Sequence, residues 1–161
     1  MSEQKFKVRE AVREDASIVA DMVRRLVSEI RNDPEAELSD RADKVAAAII
    51  EGKLNGQIFI SEDEEGEAIG MASISVPSAV HMGGRYALIQ ELWVDPEYRG
   101  NKVGRALIEA VEEHCRLFCI GETEVCLPGE SFAGYENTYA FYNKVGFLKT
   151  GLRMRKEVTD Y

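Results

Sequence analysis

The segment YRGNKVGRAL, residues 98–107, combines residue types and spacing that predict chemistry. It follows a β-rich run and opens a helical pattern, and the first turn of a helix exposes unpaired N–H groups and the positive end of the dipole. Gly100 and Gly104 leave the backbone open to a phosphate, because glycine has no Cβ. The basic residues are Arg99, Lys102 and Arg105. The segment predicts a polyphosphate site, although its spacing also fits an ordinary capped helix.

Other binding motifs are absent from the sequence. No GxxxxGK(S/T) loop occurs, and no GxGxxG fingerprint follows the first strand. The two histidines, His81 and His114, do not extend the cysteines into a metal-ligand set, and both are expected to be exposed. No metal is therefore expected.

Two amphipathic helices are predicted ahead of these residues. Apolar residues repeat at three and four positions after Asp15, an N-cap residue, and this helix should end near Pro34. The second helix should start after Ser39 and stop at Gly52. Its inward residues are expected to be Ala42, Val45, Ala46 and Ile49. Both stripes are typical of core packing.

A β-rich region follows from Gln57. Its apolar runs, separated by turn-like segments, predict antiparallel strands over residues 58–61, 69–76 and 86–94. The next elements are a long helix, a strand over 124–127, a short helix over 138–144 and a last strand over 152–158. The long helix should bury Val103, Leu107, Ile108, Val111 and Cys115. This order predicts an α/β fold in which helices flank a central mixed sheet.

Composition indicates one soluble domain over residues 1–161. The chain is 45% hydrophobic and 30% charged, and no apolar run is long enough to cross a bilayer. The three cysteines are few and odd in number, unlike those of a disulfide-stapled secreted protein, so a cytoplasmic location is expected. Free cysteines are usually small buried hydrophobes, and Cys115, Cys119 and Cys126 are expected to be so.

The charge balance bears on partners. Twenty basic and 29 acidic residues give a formal charge of −9. Such a surface disfavours nucleic acid and anionic membranes, and it accepts a cationic substrate more easily. A homodimer is compatible with the sequence.

Residues 91–113, ELWVDPEYRGNKVGRALIEAVEE, resemble the acetyl-CoA motif of the GNAT superfamily of N-acetyltransferases. Residues 136–147, ENTYAFYNKVGF, are similar to the late helix of that family, in which a Phe-Tyr pair precedes a Gly-Phe turn. The opening residues 8–23 also look like its first strand and helix. The resemblance spans nearly the whole chain and implies an acetyl-CoA-dependent enzyme.

The resemblance also implies the cofactor site. The pyrophosphate would bind along Arg99, Gly100, Asn101, Lys102, Val103, Gly104 and Arg105. Backbone N–H groups at Leu92, Trp93 and Val94 would hold the pantetheine arm and polarise the thioester carbonyl, and Asn137 would also contact the cofactor. Lys102 stands where the family usually has a glycine, and Tyr135 stands where it often has an asparagine.

The resemblance points to two candidate catalytic residues: Glu91, beside the strand that receives the cofactor in this family, and Tyr142, which matches the general acid of the family. Deprotonating an amine of pKa about 10.4 near neutral pH costs about 4.6 kcal/mol, so a general base is useful. Glu91 is the candidate base, directly or through a water, and otherwise a strand-edge charge or a substrate-binding carboxylate. Tyr142 is the candidate acid for the CoA thiolate, and otherwise a core tyrosine.

The function predicted is transfer of an acetyl group to a primary amine, favouring a small molecule, by direct attack on the thioester. The alternatives are a protein or peptide N-acetyltransferase, a non-catalytic acyl-CoA sensor, and a nucleotide-binding regulatory domain that shares only the loop. The acceptor itself is not identified by any motif.

Overall fold

The computed structural model describes residues 5–158. The helices are α1 (Ala16–Arg31), α2 (Ala42–Ile50), α3 (Val103–Leu117) and α4 (Tyr135–Lys144). The strands are β1 (Phe6–Glu10), β2 (Gly56–Asp63), β3 (Ala68–Ser75), β4 (Ser78–Ala79), β5 (Gly84–Arg85), β6 (Ala87–Val94) and β7 (Thr123–Val125). Within the described residues, no helix is long and apolar enough to cross a membrane.

One mixed sheet holds five of these strands, in the order β1-β2-β3-β6-β7. Neighbours pair antiparallel except β6 and β7, which are parallel. This parallel pair is short, and it ends where Ile89 lies opposite Val125. Among the described residues, the rest of β6 therefore has no strand on that edge. A separate hairpin of β4 and β5, which the sequence patterns do not predict, connects β3 to β6.

The sheet separates two apolar cores. On one side, α3 and the aromatic residues of α4 pack against strand residues such as Phe59 and Ala72. On the other side, α1 and α2 cover Ile58, Met71 and Trp93. This division follows from the two-residue period of a strand, and it decides on which side of β6 each functional side chain lies. The predicted α/β fold with a flanked mixed sheet is confirmed.

The predicted inner face of α3 is confirmed, since its five residues are all buried. The prediction for α2 differs in two details. The Ser39 hydroxyl accepts a hydrogen bond from the Arg41 N–H, which makes a turn before the helix, and α2 itself begins at Ala42. Val45 is exposed, because the small side chains of Ala46 and Ala47 form the buried face instead.

The predicted last strand over residues 152–158 is wrong. These residues pair with no described strand, and Leu152, Met154 and Val158 are 88%, 94% and 73% exposed. Alternating apolar residues form a strand only where a neighbouring edge offers backbone partners in register. The open edge strand nearest in sequence, β7, has only three residues.

Two predictions about side-chain burial are also wrong. Cys115 is buried, but Cys119 and Cys126 are exposed, and all three thiols are free. His114 is half-buried, with its ring centroid 5.8 Å from that of Phe59 and 4.5 Å from that of Phe118. Burial lowers the pKa of His114, because the surrounding groups solvate a charged ring poorly.

Candidate active site

The loop between β6 and α3 presents unpaired backbone donors. A 3₁₀ turn at Pro96–Tyr98 opens it, and Gly100 and Lys102 then take left-handed conformations with φ of 79° and 68°. The first α3 hydrogen bond to the loop runs from the Ala106 N–H to the Lys102 carbonyl. The N–H groups of residues 103–105 are thus the free donors of the first turn. The exposed side chains of Lys102 and Arg105 add positive charge beside them.

Arg99 is bound to α1 rather than free in the loop. Its Nη2 donates to both carboxylate oxygens of Glu29, at 2.8 and 2.9 Å, and its Nε donates to the Val94 carbonyl at 2.9 Å. The same Glu29 carboxylate accepts a hydrogen bond from the Trp93 indole N–H at 2.9 Å. Glu29 therefore joins the end of β6 and the start of the loop to α1.

Gly104 has a packing role that its spacing did not indicate. A Cβ at this position would lie 3.2 Å from ring atoms of Phe141 on α4 and 3.8 Å from a methyl group of Val94. The missing side chain lets the aromatic ring of α4 sit against the first turn of α3. The glycine therefore brings α4 to the loop.

The open edge of β6 carries backbone groups beside this loop. The Asp95 N–H donates to the Ile69 carbonyl on β3 at 2.8 Å. Successive strand residues point their N–H groups to opposite edges, so that of Trp93 also faces β3. The N–H groups of Leu92 and Val94 face the edge that β7 leaves open. Two of the three residues predicted to bind through their backbone thus have that geometry.

Glu91 lies at a β-bulge in the middle of the sheet. Ser73 pairs with Glu91 and Ile74 pairs with Ile89, so Gln90 is an extra residue in β6. The Ser73 hydroxyl donates a hydrogen bond to Glu91 Oε2. Burial raises the pKa of the half-buried Glu91 carboxyl, and the bond from Ser73 partly offsets the increase.

Tyr142 lies on the opposite side of β6, in the core beneath α3. It is 7% exposed, and its ring makes edge-to-face contacts with Phe141 and Phe147 at centroid distances of 5.1 and 5.4 Å. The hydroxyl makes no hydrogen bond within residues 5–158, and it is not among their buried unpaired atoms. The oxygen is therefore not completely enclosed by the core. Burial raises the pKa of Tyr142 above its ordinary value.

Helix α4 holds the remaining predicted residue, Asn137. Asn137 is exposed one turn before Phe141, on the same helix face and thus toward the loop side. Tyr135 stacks on Tyr139 at a centroid distance of 6.3 Å. These two tyrosines line an open depression of about 450 Å³ together with Glu130, Glu136 and Lys149.

A second depression lies between α1 and the segment that joins it to α2. Its volume is about 410 Å³, and four of its lining side chains are carboxylates: Asp21, Glu37, Asp40 and Asp43. Arg24 is the one basic residue of the lining, and it pairs with Asp21 at 3.0 Å. This surface lies on the side of the sheet to which Glu91 points, and it is acidic.

Two residues of the site were not found from the sequence. Glu29 is one of two acidic residues on α1, and only the fold brings it to Arg99. Ser73 carries a weak signal, because it is a polar residue at an inward position of the strand AIGMASIS. A buried hydroxyl in such a strand needs a partner, and Glu91 is that partner.

A family comparison accounts for this combination of sheet, loop and helix. A model of the acetyltransferase (GNAT) family matches residues 21–147, from within α1 to just beyond α4. The chain belongs to the GNAT family of acetyltransferases and is an acyltransferase. A search of curated protein sequences gave no match.

Solved structures of acetyltransferases share the fold. A possible acetyltransferase from Clostridium difficile 630 is 17% identical with a TM-score of 0.79, covering 97% of this chain and 99% of its own. An aminoglycoside acetyltransferase from an uncultured soil metagenomic sample is 17% identical with a TM-score of 0.77, covering 96% and 99%. A predicted acetyltransferase from Clostridium acetobutylicum, solved with acetyl-CoA, is 17% identical with a TM-score of 0.75, covering 94% and 96%. At these identities the likeness is one of fold.

Proposed function

We propose that the protein transfers the acetyl group of acetyl-CoA to a primary amine of a small molecule, by direct attack of the amine on the thioester. The observation that carries this proposal is the half-buried Glu91 carboxylate, held at a bulge beside the open backbone edge of the same strand. A proton acceptor next to a row of N–H donors suits amide formation from a thioester.

The donors around β6 and α3 suit acetyl-CoA. When bound, this cosubstrate supplies an activated acetyl thioester. The first-turn N–H groups of α3 at Val103, Gly104 and Arg105 would hold its pyrophosphate, with charge from Lys102. Gly100 and Asn101 shape the loop: the Asn101 side chain donates to the Tyr98 and Arg99 carbonyls at 3.3 and 3.4 Å.

The edge of β6 would hold the rest of the cosubstrate. The Leu92 and Val94 N–H groups would bind the pantetheine arm and polarise the thioester carbonyl. Arg99 and Trp93 would act through Glu29, which keeps the loop against α1. Asn137 would contact the exposed end of the cosubstrate from α4.

Glu91 would take the proton that the amine loses. Because burial raises the pKa of Glu91 toward that of the amine, the carboxylate is a stronger base than an exposed one. Glu91 must be ionised to act, so the rate should rise as the pH passes upward through this raised pKa. Its Oε1 makes no hydrogen bond within residues 5–158 and is not among their buried unpaired atoms.

Tyr142 would return a proton to the departing thiolate. The raised pKa keeps its hydroxyl protonated through neutral and moderately alkaline pH, which a proton donor requires. The same shift widens the gap to an ordinary thiol pKa of about 8.5 and weakens the driving force for the transfer. Because Tyr142 lies opposite Glu91, the proposed acid and the proposed base would act from different sides of β6.

The acceptor is proposed to be a small cationic amine. The acidic depression beside α1 supports this, because carboxylates attract the ammonium form of the substrate. A cytoplasmic location is proposed with it, supported by the free thiols of all three cysteines.

The test measures free thiol released from acetyl-CoA across polyamines, amino sugars and lysine-containing peptides. Glu91→Gln keeps the shape and removes the basicity, so acetyl-CoA binding should survive while the rate at neutral pH falls about 10²-fold or more. Glu124→Gln, an exposed carboxyl on β7, is the matched control and should leave the rate unchanged. Binding without thiol release from any amine would indicate a sensor. Release with peptides alone would indicate a protein acetyltransferase.

A further inference from the structure

We infer that Ser73 is a positioning residue that fixes the Glu91 carboxylate, with one oxygen held by the Ser73 hydroxyl and the other turned to the acceptor amine. This inference rests on the proposed role of Glu91 as the base. Ser73 itself touches neither substrate, because β3 lies behind β6 when viewed from the open edge.

The position of Ser73 explains why its hydroxyl has one partner. Ser73 is 3% exposed and lies on the α1 side of the sheet, in register with Ile58 on β2 and two residues from Met71. These neighbours are apolar and offer no acceptor side chain. An unpaired hydroxyl in such a core is destabilising, so the bond to Glu91 Oε2 is strongly favoured.

The bulge confines this type of contact to the Ser73–Glu91 pair. The extra residue Gln90 changes the register immediately after the Ser73–Glu91 pair, so the next polar contact between the strands differs. There, the amide nitrogen of Gln90 donates to the Ser75 hydroxyl at 2.9 Å, toward solvent. Ser73 and Ser75 thus provide two hydroxyls on one strand, of which one holds Glu91 and the other does not.

The groups around Glu91 leave Ser73 as the main polar influence on its ionisation. The α1 and α2 residues that pack on this side of the sheet are apolar, and include Met22, Ala46 and Ala47. Two charged residues of α1, Glu29 and Arg25, reach the same face but contact Trp93, and Glu124 of β7 pairs with Leu88. Burial raises the pKa of Glu91, and the Ser73 hydrogen bond lowers it by favouring the ionised form.

Removing the hydroxyl should therefore change the pH profile in a defined direction. In Ser73→Ala the pKa of Glu91 rises further, so the acid limb of kcat/KM moves to higher pH. At pH values below this limb the rate should fall about tenfold for each unit of the displacement, and it should recover as the pH rises above the limb. The KM for acetyl-CoA should stay within about twofold of the wild type, since β3 carries none of its donors.

The experiment compares pH profiles of Ser73→Ala, Ser75→Ala, Ser73→Thr and Glu91→Gln. Ser75→Ala is the matched control and should match the wild type. Ser73→Thr retains a hydroxyl and should restore the position of the acid limb. NMR titration of the Glu91 side-chain carboxyl carbon in Ser73→Ala should show the same raised pKa without reference to turnover.

The outcomes separate this inference from the proposed function. An acid limb that persists unchanged in Glu91→Gln would show that Glu91 is not the general base. If Glu91→Gln abolishes the limb but Ser73→Ala leaves both the limb and the NMR titration in place, Ser73 does not position Glu91. A rate loss in Ser73→Ala that is equal at every pH, with an unmoved carboxyl titration, would also overturn the inference.

Discussion

At the scale of single residues, Tyr142 combines a buried aromatic ring with a hydroxyl that has no hydrogen-bond partner within residues 5–158. Tyr142→Phe removes only that hydroxyl, so acetyl-CoA affinity and the unfolding free energy should hardly change. We expect kcat to fall about 10²-fold, the usual contribution of a general acid. Because the pKa of Tyr142 is raised, the loss should be uniform from acidic to moderately alkaline pH. Full kcat in this variant would make Tyr142 a wall of the site, with water as the proton source.

Lys102 holds a backbone conformation that a glycine adopts with less strain. Its φ of 68° costs a non-glycine residue about 1 to 2 kcal/mol, whereas glycine has the larger entropy loss on folding, about 0.5 to 1 kcal/mol. Lys102→Gly should therefore be more stable than Lys102→Ala, with a free energy of unfolding about 1 kcal/mol greater in urea denaturation. Both variants lose the same charge, so their affinities for acetyl-CoA should weaken alike. Equal stability of the two would contradict this reading of the loop.

At the scale of elements, Gly104 couples α3 to α4. Alanine is favoured over glycine within a helix by about 1 kcal/mol, but here its Cβ would meet the Phe141 ring at 3.2 Å. Gly104→Ala should thus be neutral or destabilising in the wild type and stabilising in a Phe141→Leu background. The double-mutant cycle should give a coupling of about 1 kcal/mol or more.

Gly121→Ala serves as the control for this cycle, because no atom lies within 4 Å of its added Cβ. Its effect on stability should be the same in both backgrounds. Additive effects at Gly104 and Phe141 would show that α4 does not depend on the glycine.

The elements differ in how well the sequence predicts them, for physical reasons. The five-residue stripe of α3 is decided locally by helical periodicity, and every member is buried. The last strand fails because its formation depends on a distant edge: the alternation of Leu152 and Met154 is present, but residues 5–158 contain no partner strand for it. The β4–β5 hairpin has two residues per strand, which is too short for a two-residue period to be visible.

The site shows the same division between local and distant information. The loop from Arg99 to Arg105 and the Phe141–Tyr142 pair were located from contiguous motifs. Ser73 and Glu29 act across 18 and 70 positions of sequence, on Glu91 and Arg99 respectively, and no local pattern reports such contacts. The reason for Gly104 likewise needed the fold, since Phe141 fills the space above it.

At the scale of the whole molecule, Glu29 ties α1 to the proposed cofactor loop. Glu29→Ala frees Arg99 and the Trp93 indole, so acetyl-CoA should bind several-fold more weakly. Stability should fall by about 1 to 3 kcal/mol, because the buried indole N–H loses its acceptor, whereas an exposed ion pair alone contributes less than about 1 kcal/mol. Trp93 is the chain's one tryptophan, so its fluorescence reports the change directly. Arg116→Ala, which removes an exposed ion pair on α3, should leave both affinity and emission unchanged. Unaltered affinity for acetyl-CoA in Glu29→Ala would show that the contact between α1 and the loop does not contribute to cofactor binding.

Glu91 and Tyr142 lie on opposite faces of the sheet, and this has a consequence for the kinetics. On the proposed function, the acceptor approaches from the α1 face and the thiol departs toward the α3 face, so neither molecule must leave before the other arrives. Initial rates measured against both substrates should give intersecting reciprocal plots, and desulfo-CoA should compete with acetyl-CoA but not with the amine. Parallel lines would require a covalent acetyl-enzyme. The sheet would thus separate the entry path of the amine from the exit path of the thiol.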